Sequence, residues 1–511
     1  MTYFLVFVCG LLTALPYVFD FLFFVPYFSV AVLLILTLKN KRPYLHGLCF
    51  SMGYYLVVYH WFVYLYPLDF AGLSELSSLG LIILAIFGLS FIQAISSALV
   101  PLAVKYLTKD RHIIFVPFTA ASIWCLIEWT QNFFWFGVPW ARLSLTQYKI
   151  LPIIQSASVI GSLGISFFIV LISGFICIGY LSHRNNGRCK LWYIVACTVF
   201  ALNFAFGTAV LLLPDKKDES IPAAVIQGNI SSSDKWADDS VYNSLNVYTE
   251  LTREAAENNG AKIIVWPETV LITDLSSDSY AKEAVSTLSK ELSAYIAVGA
   301  FYAENGRTFN AVYLFCPDGS INENIYCKRH LVPFGEYLPM ADTLYKLFPF
   351  LSEVNLISEQ IYEGASPKLF ETEIGYLASL ICFDSIYDSL AYDSAKDGAN
   401  LFLISTNDSW YKDSAAVRQH NAHAVMRSIE NGRYTLRSAN TGISSIITDK
   451  GQVLSYIPPL ESGYICENVS LCSHKTIYSY IGNLVVYLSI VFLLYLAAHK
   501  IYYKAKSLTK S

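Results

Sequence analysis

Long uncharged apolar runs, broken by short polar stretches, fill the first 213 residues. They lie near 3–19, 21–38, 45–66, 78–103, 113–131, 151–180 and 191–213, and one more covers 477–499. A hydrocarbon core of about 30 Å takes roughly 20 apolar residues in helical form, so each run is a predicted membrane span. The first two are separated only by Asp20 and read as a tight hairpin. Pro16, Pro26, Pro101, Pro117 and Pro152 fall within these runs; helices in a bilayer tolerate proline because neighbouring groups satisfy the freed backbone.

The basic residues give a direction. Lys39, Lys41 and Arg42 follow the second run, Lys105, Lys109 and Arg111 the fourth, Arg184, Arg188 and Lys190 the sixth, and Lys500, Lys504, Lys506 and Lys510 the last. All fall on one side of a membrane if the chain starts there, and loops rich in Lys and Arg stay cytoplasmic. The N-terminus is therefore predicted inside, and seven crossings put the middle of the chain outside. Lys216 and Lys217 do not overturn this, because large domains cross largely regardless of charge. No basic leader with a small-residue cleavage site opens the chain, so the first run is expected to be retained.

Between the runs the pattern changes. IPAAVI (221–226), KIIVW (262–266), AYIAV (294–298), YLASLI (376–381) and LFLIS (401–405) read as buried strands, and 240–258 and 416–433 as helices. Such alternation predicts a layered α/β domain. The expected organisation is a membrane domain over 1–213, an extracytoplasmic domain over 214–475, and a final span with a short tail over 476–511.

Composition narrows the choices. Only 14% of residues are charged, against about 25% in soluble chains. The net charge is −4, and no basic stripe interleaved with aromatics points to nucleic acid. Six of the 11 cysteines lie in or beside apolar runs; Cys316, Cys327, Cys382, Cys466 and Cys472 lie in the α/β part, where a disulfide is open but its pairing is not legible. No CxxC pair suggests a metal, and no cofactor is expected.

Chemistry concentrates at strand ends, where sites form in open α/β sheets. KIIVW runs into Pro267 and Glu268, YLASLI into Cys382, and LFLIS into Thr406, Asn407 and Asp408; Lys328 lies between the first two in YCKRHLVPFGEYLP. A cysteine attacks acyl carbon as its thiolate. A neighbouring ammonium favours that thiolate and an oxyanion, and a carboxylate can take the thiol proton and return it to a leaving group. Glu268, Lys328 and Cys382 thus suffice for acyl transfer through a thioester.

WPET (266–269), KRHLVPFGE (328–336) and ICFD (381–384) resemble the three catalytic blocks of the nitrilase, or carbon–nitrogen hydrolase, superfamily. With the spans, GNISSSDKW (228–236), STNDSW (405–410), RSANTGIS (437–444) and FGVPW (136–140) are similar, in order, to blocks of its apolipoprotein N-acyltransferases. The resemblance implies an α-β-β-α sandwich, with Glu268, Lys328, Cys382 and Glu336 catalytic and Trp236, Phe383, Asp384 and Trp140 contacting substrate. It implies acyl transfer from a membrane phospholipid to the α-amine of a diacylglyceryl-cysteine at an apolipoprotein N-terminus, in the bacterial inner membrane with the site on the periplasmic side. The family pattern has Tyr and Glu after the cysteine; this chain has Phe383 and Asp384, so no tyrosine hydroxyl acts there.

Blander readings stand beside these. Cys382 alone would be a buried thiol, Lys328 a solvated lysine, Glu268 a helix cap and Glu336 a surface acid. Trp140 and Arg142 fit an interfacial belt as well as a lipid contact, and His420 and His423, at i and i+3, fit helix packing better than metal binding. A membrane-tethered amidase or hydrolase is the alternative enzyme. A non-catalytic membrane binding or transport protein is the alternative of another class, with Glu128 the clearest intramembrane charge.

Overall fold

The computed structural model describes residues 1–68, 72–133, 137–184, 189–214, 219–231, 235, 239–347, 360–366 and 368–508. The chain forms two compact units, one of Met1–Val63, Leu81–Pro214 and Ile481–Ser511, the other of Tyr64–Gly80 and Asp215–Tyr480.

The first unit is helical. Among the described residues, four helices are long and apolar enough to cross a membrane: Glu75–Thr108, Ala157–His183, Cys189–Leu212 and Leu484–Tyr502. The other expected spans are shorter than their apolar runs. The first is the helix Thr2–Ala14, ended by a tight turn at Leu15–Tyr17 that contains Pro16. The second is Val25–Lys39, with Pro26 in its first turn. The third ends at Val58, and the fifth is Phe115–Thr130. At 1.5 Å per residue, a 15-residue helix rises about 22 Å, less than the apolar core thickness. Hydropathy counts turn residues as readily as helical ones, so the runs overstated helix length.

Trp140 and Arg142 are buried inside this unit rather than displayed in a belt. Trp140 packs against Trp61 with centroids 5.7 Å apart. The Arg142 guanidinium donates to Ser162 Oγ at 2.9 Å and to Asn132 Oδ1 at 2.7 Å. Glu128 Oε1 accepts from Trp124 Nε1 and from the Leu143 N–H, both at 2.8 Å. These polar groups are spent on interior hydrogen bonds, as buried polar groups generally are.

The second unit is a two-sheet sandwich. Its strands are β1 (Ser220–Gln227), β2 (Ile263–Val265), β3 (Leu271–Asp274), β4 (Tyr295–Glu304), β5 (Arg307–Phe315), β6 (Tyr326–Cys327), β7 (Leu369–Thr372), β8 (Gly375–Ile381), β9 (Leu401–Thr406), β10 (Tyr434–Ala439), β11 (Ser444–Ile447), β12 (Val453–Ile457) and β13 (Gly463–Ser470). Among the described residues, one sheet has seven strands in the order β13-β1-β2-β4-β5-β6, with β3 paired to β4. The other has six, in the order β12-β11-β10-β9-β8-β7.

Parallel pairs β1·β2, β2·β4, β8·β9 and β9·β10 form the middle of each sheet. Strands covered on both faces read as continuous apolar runs, which is why these were visible in the sequence. Val225, Val265 and Ala297 of one sheet pack with Leu377, Ile381, Leu403 and Leu436 of the other. The opposite face of the first sheet buries Ile264, Trp266 and Ile296 against Leu245, Tyr248, Val285 and Leu288 of the helices Ser240–Asn259 and Ser279–Leu292. The cysteines of this unit are all free.

Candidate active site

The carboxyl ends of the parallel strands bring the reactive residues together. After β2 the chain turns at Trp266-Pro267 and presents Glu268, whose neighbour Thr269 has the left-handed φ of +44°. The turn presses on Gly299 of β4, where a Cβ would lie 2.2 Å from the Pro267 carbonyl oxygen. Only glycine leaves that space. Ser405 Oγ of β9 donates to the Trp266 carbonyl at 2.9 Å, joining the two sheets beneath the site.

Glu268 Oε1 accepts from Lys328 Nζ at 2.9 Å and from Asn310 Nδ2 at 2.7 Å, and its Oε2 from the Asn407 N–H at 2.8 Å. Lys328, 1% exposed, also donates to Glu336 Oε1 at 2.8 Å. Asn310 bridges to that same oxygen at 3.2 Å, and Glu336 Oε2 accepts from the Val332 N–H at 2.8 Å. One ammonium therefore sits between two carboxylates, with a carboxamide closing the ring. This is neither the solvated lysine nor the surface acid of the blander reading.

The charges follow. Burial alone raises a carboxyl pKa, but at Glu268 the charge and hydrogen bond of Lys328, aided by Lys235 and Asn310, overcome it and hold the group below its ordinary value. At Glu336 burial prevails over Lys328, Glu268 adds repulsion, and the pKa rises. Burial would lower Lys328, yet the two carboxylates hold it well above the usual lysine range. At neutral pH Glu268 is an anion and Lys328 a cation.

Cys382 ends β8 and starts a tight turn, Cys382–Ile386. Its φ is +49°, a region that costs a non-glycine residue energy and recurs at functional sites. Burial pushes the thiol well up, Glu268 adds to the rise, and Lys328 opposes it. The resting state is thus a protonated thiol beside an ionised carboxylate and an ammonium, which permits proton transfer to Glu268 as sulfur attacks.

Asp384 is fully buried. Its Oδ1 accepts from the His330 N–H at 2.8 Å and its Oδ2 from Tyr326 Oη at 2.9 Å and the Ile381 N–H at 3.2 Å. A carboxylate so engaged holds the cysteine turn to the lysine loop. Phe383 packs edge-on to Tyr387, with centroids 5.5 Å apart. Trp236 lies outside the described residues, and Trp140 belongs to the first unit.

Residues 222–475 match the model of the carbon-nitrogen hydrolase family, and residues 9–175 that of the apolipoprotein N-acyltransferase N-terminal domain. An apolipoprotein N-acyltransferase from Geobacter metallireducens is 31% identical over 395 residues, covering 76% of this chain and 75% of that one. The chain belongs to the apolipoprotein N-acyltransferase family. A relative of the same name from Nitrosomonas europaea is 26% identical over 500 residues, covering 96% of this chain and 95% of that one. Nit3 of Saccharomyces cerevisiae, a nitrilase-superfamily protein, aligns with a TM-score of 0.40 at 17% identity, over 53% of this chain and 96% of that one. Membership makes the chain an enzyme, an acyltransferase with a nitrilase-like α/β domain, and its apolar helices make it a membrane protein.

Sequence reading missed several residues around this site. Asn310 lies mid-strand in β5, where nothing marks it. Asp408 is legible only as a strand-end residue, and His420 only as a helix-packing one. Asp408 Oδ1 lies 2.9 Å from His420 Nδ1, and its Oδ2 accepts from the Arg437 guanidinium at 2.8 Å. His420 Nε2 lies 3.1 Å from both the Cys382 carbonyl and Ser385 Oγ. The Cys382, Asp408 and His420 donor atoms fall within 4.8 Å of one another, but Arg437 on Asp408 makes the cluster a buried hydrogen-bond network behind the cysteine turn rather than a metal site.

Proposed function

We propose that this chain N-acylates apolipoproteins in two steps, using a membrane phospholipid as donor and the α-amine of an N-terminal diacylglyceryl-cysteine as acceptor. The observation that carries the mechanism is the buried Glu268–Lys328–Glu336 cluster beside the Cys382 thiol. Cys382 Sγ bonds to the ester carbonyl carbon while its proton passes to Glu268, and the Lys328 ammonium stabilises the oxyanion. The ester C–O bond then breaks, and the lysophospholipid leaves as an alcohol carrying the Glu268 proton. In the second half the neutral amine attacks the thioester, Glu268 takes its proton, and the C–S bond breaks. The proton returns to sulfur as the amide leaves. Glu336 holds Lys328 in line, and Asp384 holds the cysteine turn.

Lipid substrates account for a catalytic domain flanked in sequence by apolar helices. In this reading 1–213 is a membrane domain of about seven spans with its N-terminus in the cytoplasm, 214–475 is extracytoplasmic, and 476–511 returns to the cytoplasm at the inner membrane. The test is the acyl-enzyme. Phospholipid alone should leave an acyl mass on the Cys382 peptide. A diacylated lipopeptide with a free α-amine should discharge it, and the same lipopeptide with a blocked amine should not. Steady release of free fatty acid from phospholipid, at a rate the lipopeptide does not alter, would establish a hydrolase instead.

A further inference from the structure

We propose that Lys235 is a positioning residue of the catalytic centre, fixing the Glu268 turn and placing a second cation beside Glu268. The residue ends the GNISSSDK stretch that follows β1, so it reaches the same strand-end edge as Glu268, Cys382 and Asn407. Its side chain is buried, at 4% exposure. Nζ donates to Thr269 Oγ1 at 2.7 Å and to the Glu268 carbonyl at 3.3 Å. Both acceptors belong to the turn that bends through the left-handed region at Thr269.

Asn229 and Ile230, which precede Lys235 in the chain, are themselves fastened to the site. The Asn229 N–H donates to the Asn440 carbonyl at 2.8 Å, the Ile230 N–H to Asn440 Oδ1 at 3.1 Å, and the Lys235 N–H to the Ser231 carbonyl at 2.9 Å. Asn440 Nδ2 in turn lies 3.4 Å from Asn407 Oδ1, and the Asn407 N–H holds Glu268 Oε2.

Among the described residues, Lys235 Nζ bonds to neutral oxygens, and desolvation disfavours the charge of a lysine so placed. A charge held there acts on the Glu268 carboxylate as well as on the turn. Burial brings Lys235 down to about 8; Glu268 and Cys382 pull it up and Lys328 opposes it. The thiol meets Glu268 and Asp408, which disfavour its anion, and Lys328, which favours it. The imidazole of His420 lies on its backbone carbonyl. Lys235 adds a second cation beside Glu268, where with Lys328 it helps to hold the carboxyl below its ordinary value.

The inference rests on the thioester reading, and the test separates the two. Full-length Lys235→Met and Lys235→Arg proteins are compared with the parent in three measurements. These are the pH dependence of iodoacetamide alkylation at Cys382, the rate of acyl-enzyme formation with phosphatidylethanolamine vesicles, and the thermal midpoint. Lys235→Met should move the alkylation midpoint up by about one pH unit or more and slow acylation about tenfold or more, with the protein still folded at the assay temperature. Lys235→Arg should recover most of both kinetic losses. If Lys235→Met matches the parent in alkylation and acylation, or loses both only together with its thermal midpoint and is not rescued by Arg, the role proposed for Lys235 is wrong. If the parent itself forms no adduct at Cys382, the thioester reading has failed instead.

Discussion

Asp384 Oδ1 accepts the His330 backbone N–H at 2.8 Å, so the turn carrying the nucleophile and the loop carrying the lysine are held by one carboxylate. The spacing of Cys382 from Lys328 is therefore held through the backbone amides of Ile381 and His330. Asp384→Ala strands the Tyr326 hydroxyl and backbone donors in a buried site, and should cost about 2–3 kcal/mol of stability. Acylation should fall further than unfolding accounts for. Denaturation midpoints beside acyl-enzyme rates check this; full activity with unchanged stability would contradict it.

Cys382→Ala and Cys382→Ser should each abolish acyl transfer while leaving the fold intact, since the side chain is small and the turn keeps its backbone bonds. The serine hydroxyl is a far weaker acid than a thiol and gains too little from Glu268. Transfer assays on folded, membrane-inserted protein decide the matter, and near-normal turnover would remove the thioester.

Glu336→Gln leaves Lys328 paired with Glu268 alone. Lys328 keeps its charge but loses one of the two carboxylates that fix it, and Glu268 loses a repelling neighbour. The expected result is a fall in acylation of about ten- to a hundredfold with little change in apparent affinity for phospholipid, because Glu336 acts on the oxyanion stabiliser rather than on the donor. A KM-against-kcat comparison measures it.

Asp408 gives the acid dependence. Burial would raise its pKa, but Arg437 and His420 hold it well below the ordinary value. A carboxylate depressed in the folded state stabilises above its unfolded pKa, about 3.9, and that contribution fades as pH falls below it. Asp408→Asn should destabilise by about 3 kcal/mol at neutral pH, and the gap from the parent should narrow below about pH 4. Thermal midpoints across pH test the sign.

Topology rests on the lysine and arginine asymmetry. A single cysteine placed at the exposed Ser231 should react in intact spheroplasts with a membrane-impermeant maleimide, and one at the exposed Lys39 should not. A background free of other accessible cysteines keeps the readout clear, and labelling of Lys39→Cys would reverse the orientation.

The sequence determined what is local or periodic. Uncharged runs marked the helical unit, because a bilayer admits little else. Apolar runs marked β1, β2, β4, β8 and β9, because strands covered on both faces need no polar alternation. Glu268 and Cys382 were legible as strand-end residues, and Lys328, between them in sequence, by its matching chemistry. Tertiary structure decided the rest. Short edge strands such as β6 and β7 carry no period long enough to read. Helix ends at Ala14 and Val58 fall within apolar runs, where hydropathy is blind to a turn. Asn310 joins the site only because β5 pairs with β4, and Lys235 only because β1 ends beside β2. Asp384 is fixed by loops over fifty positions away in sequence. Such partners are set by three-dimensional hydrogen bonding, and a linear pattern carries no record of which buried carboxylate will find which amide.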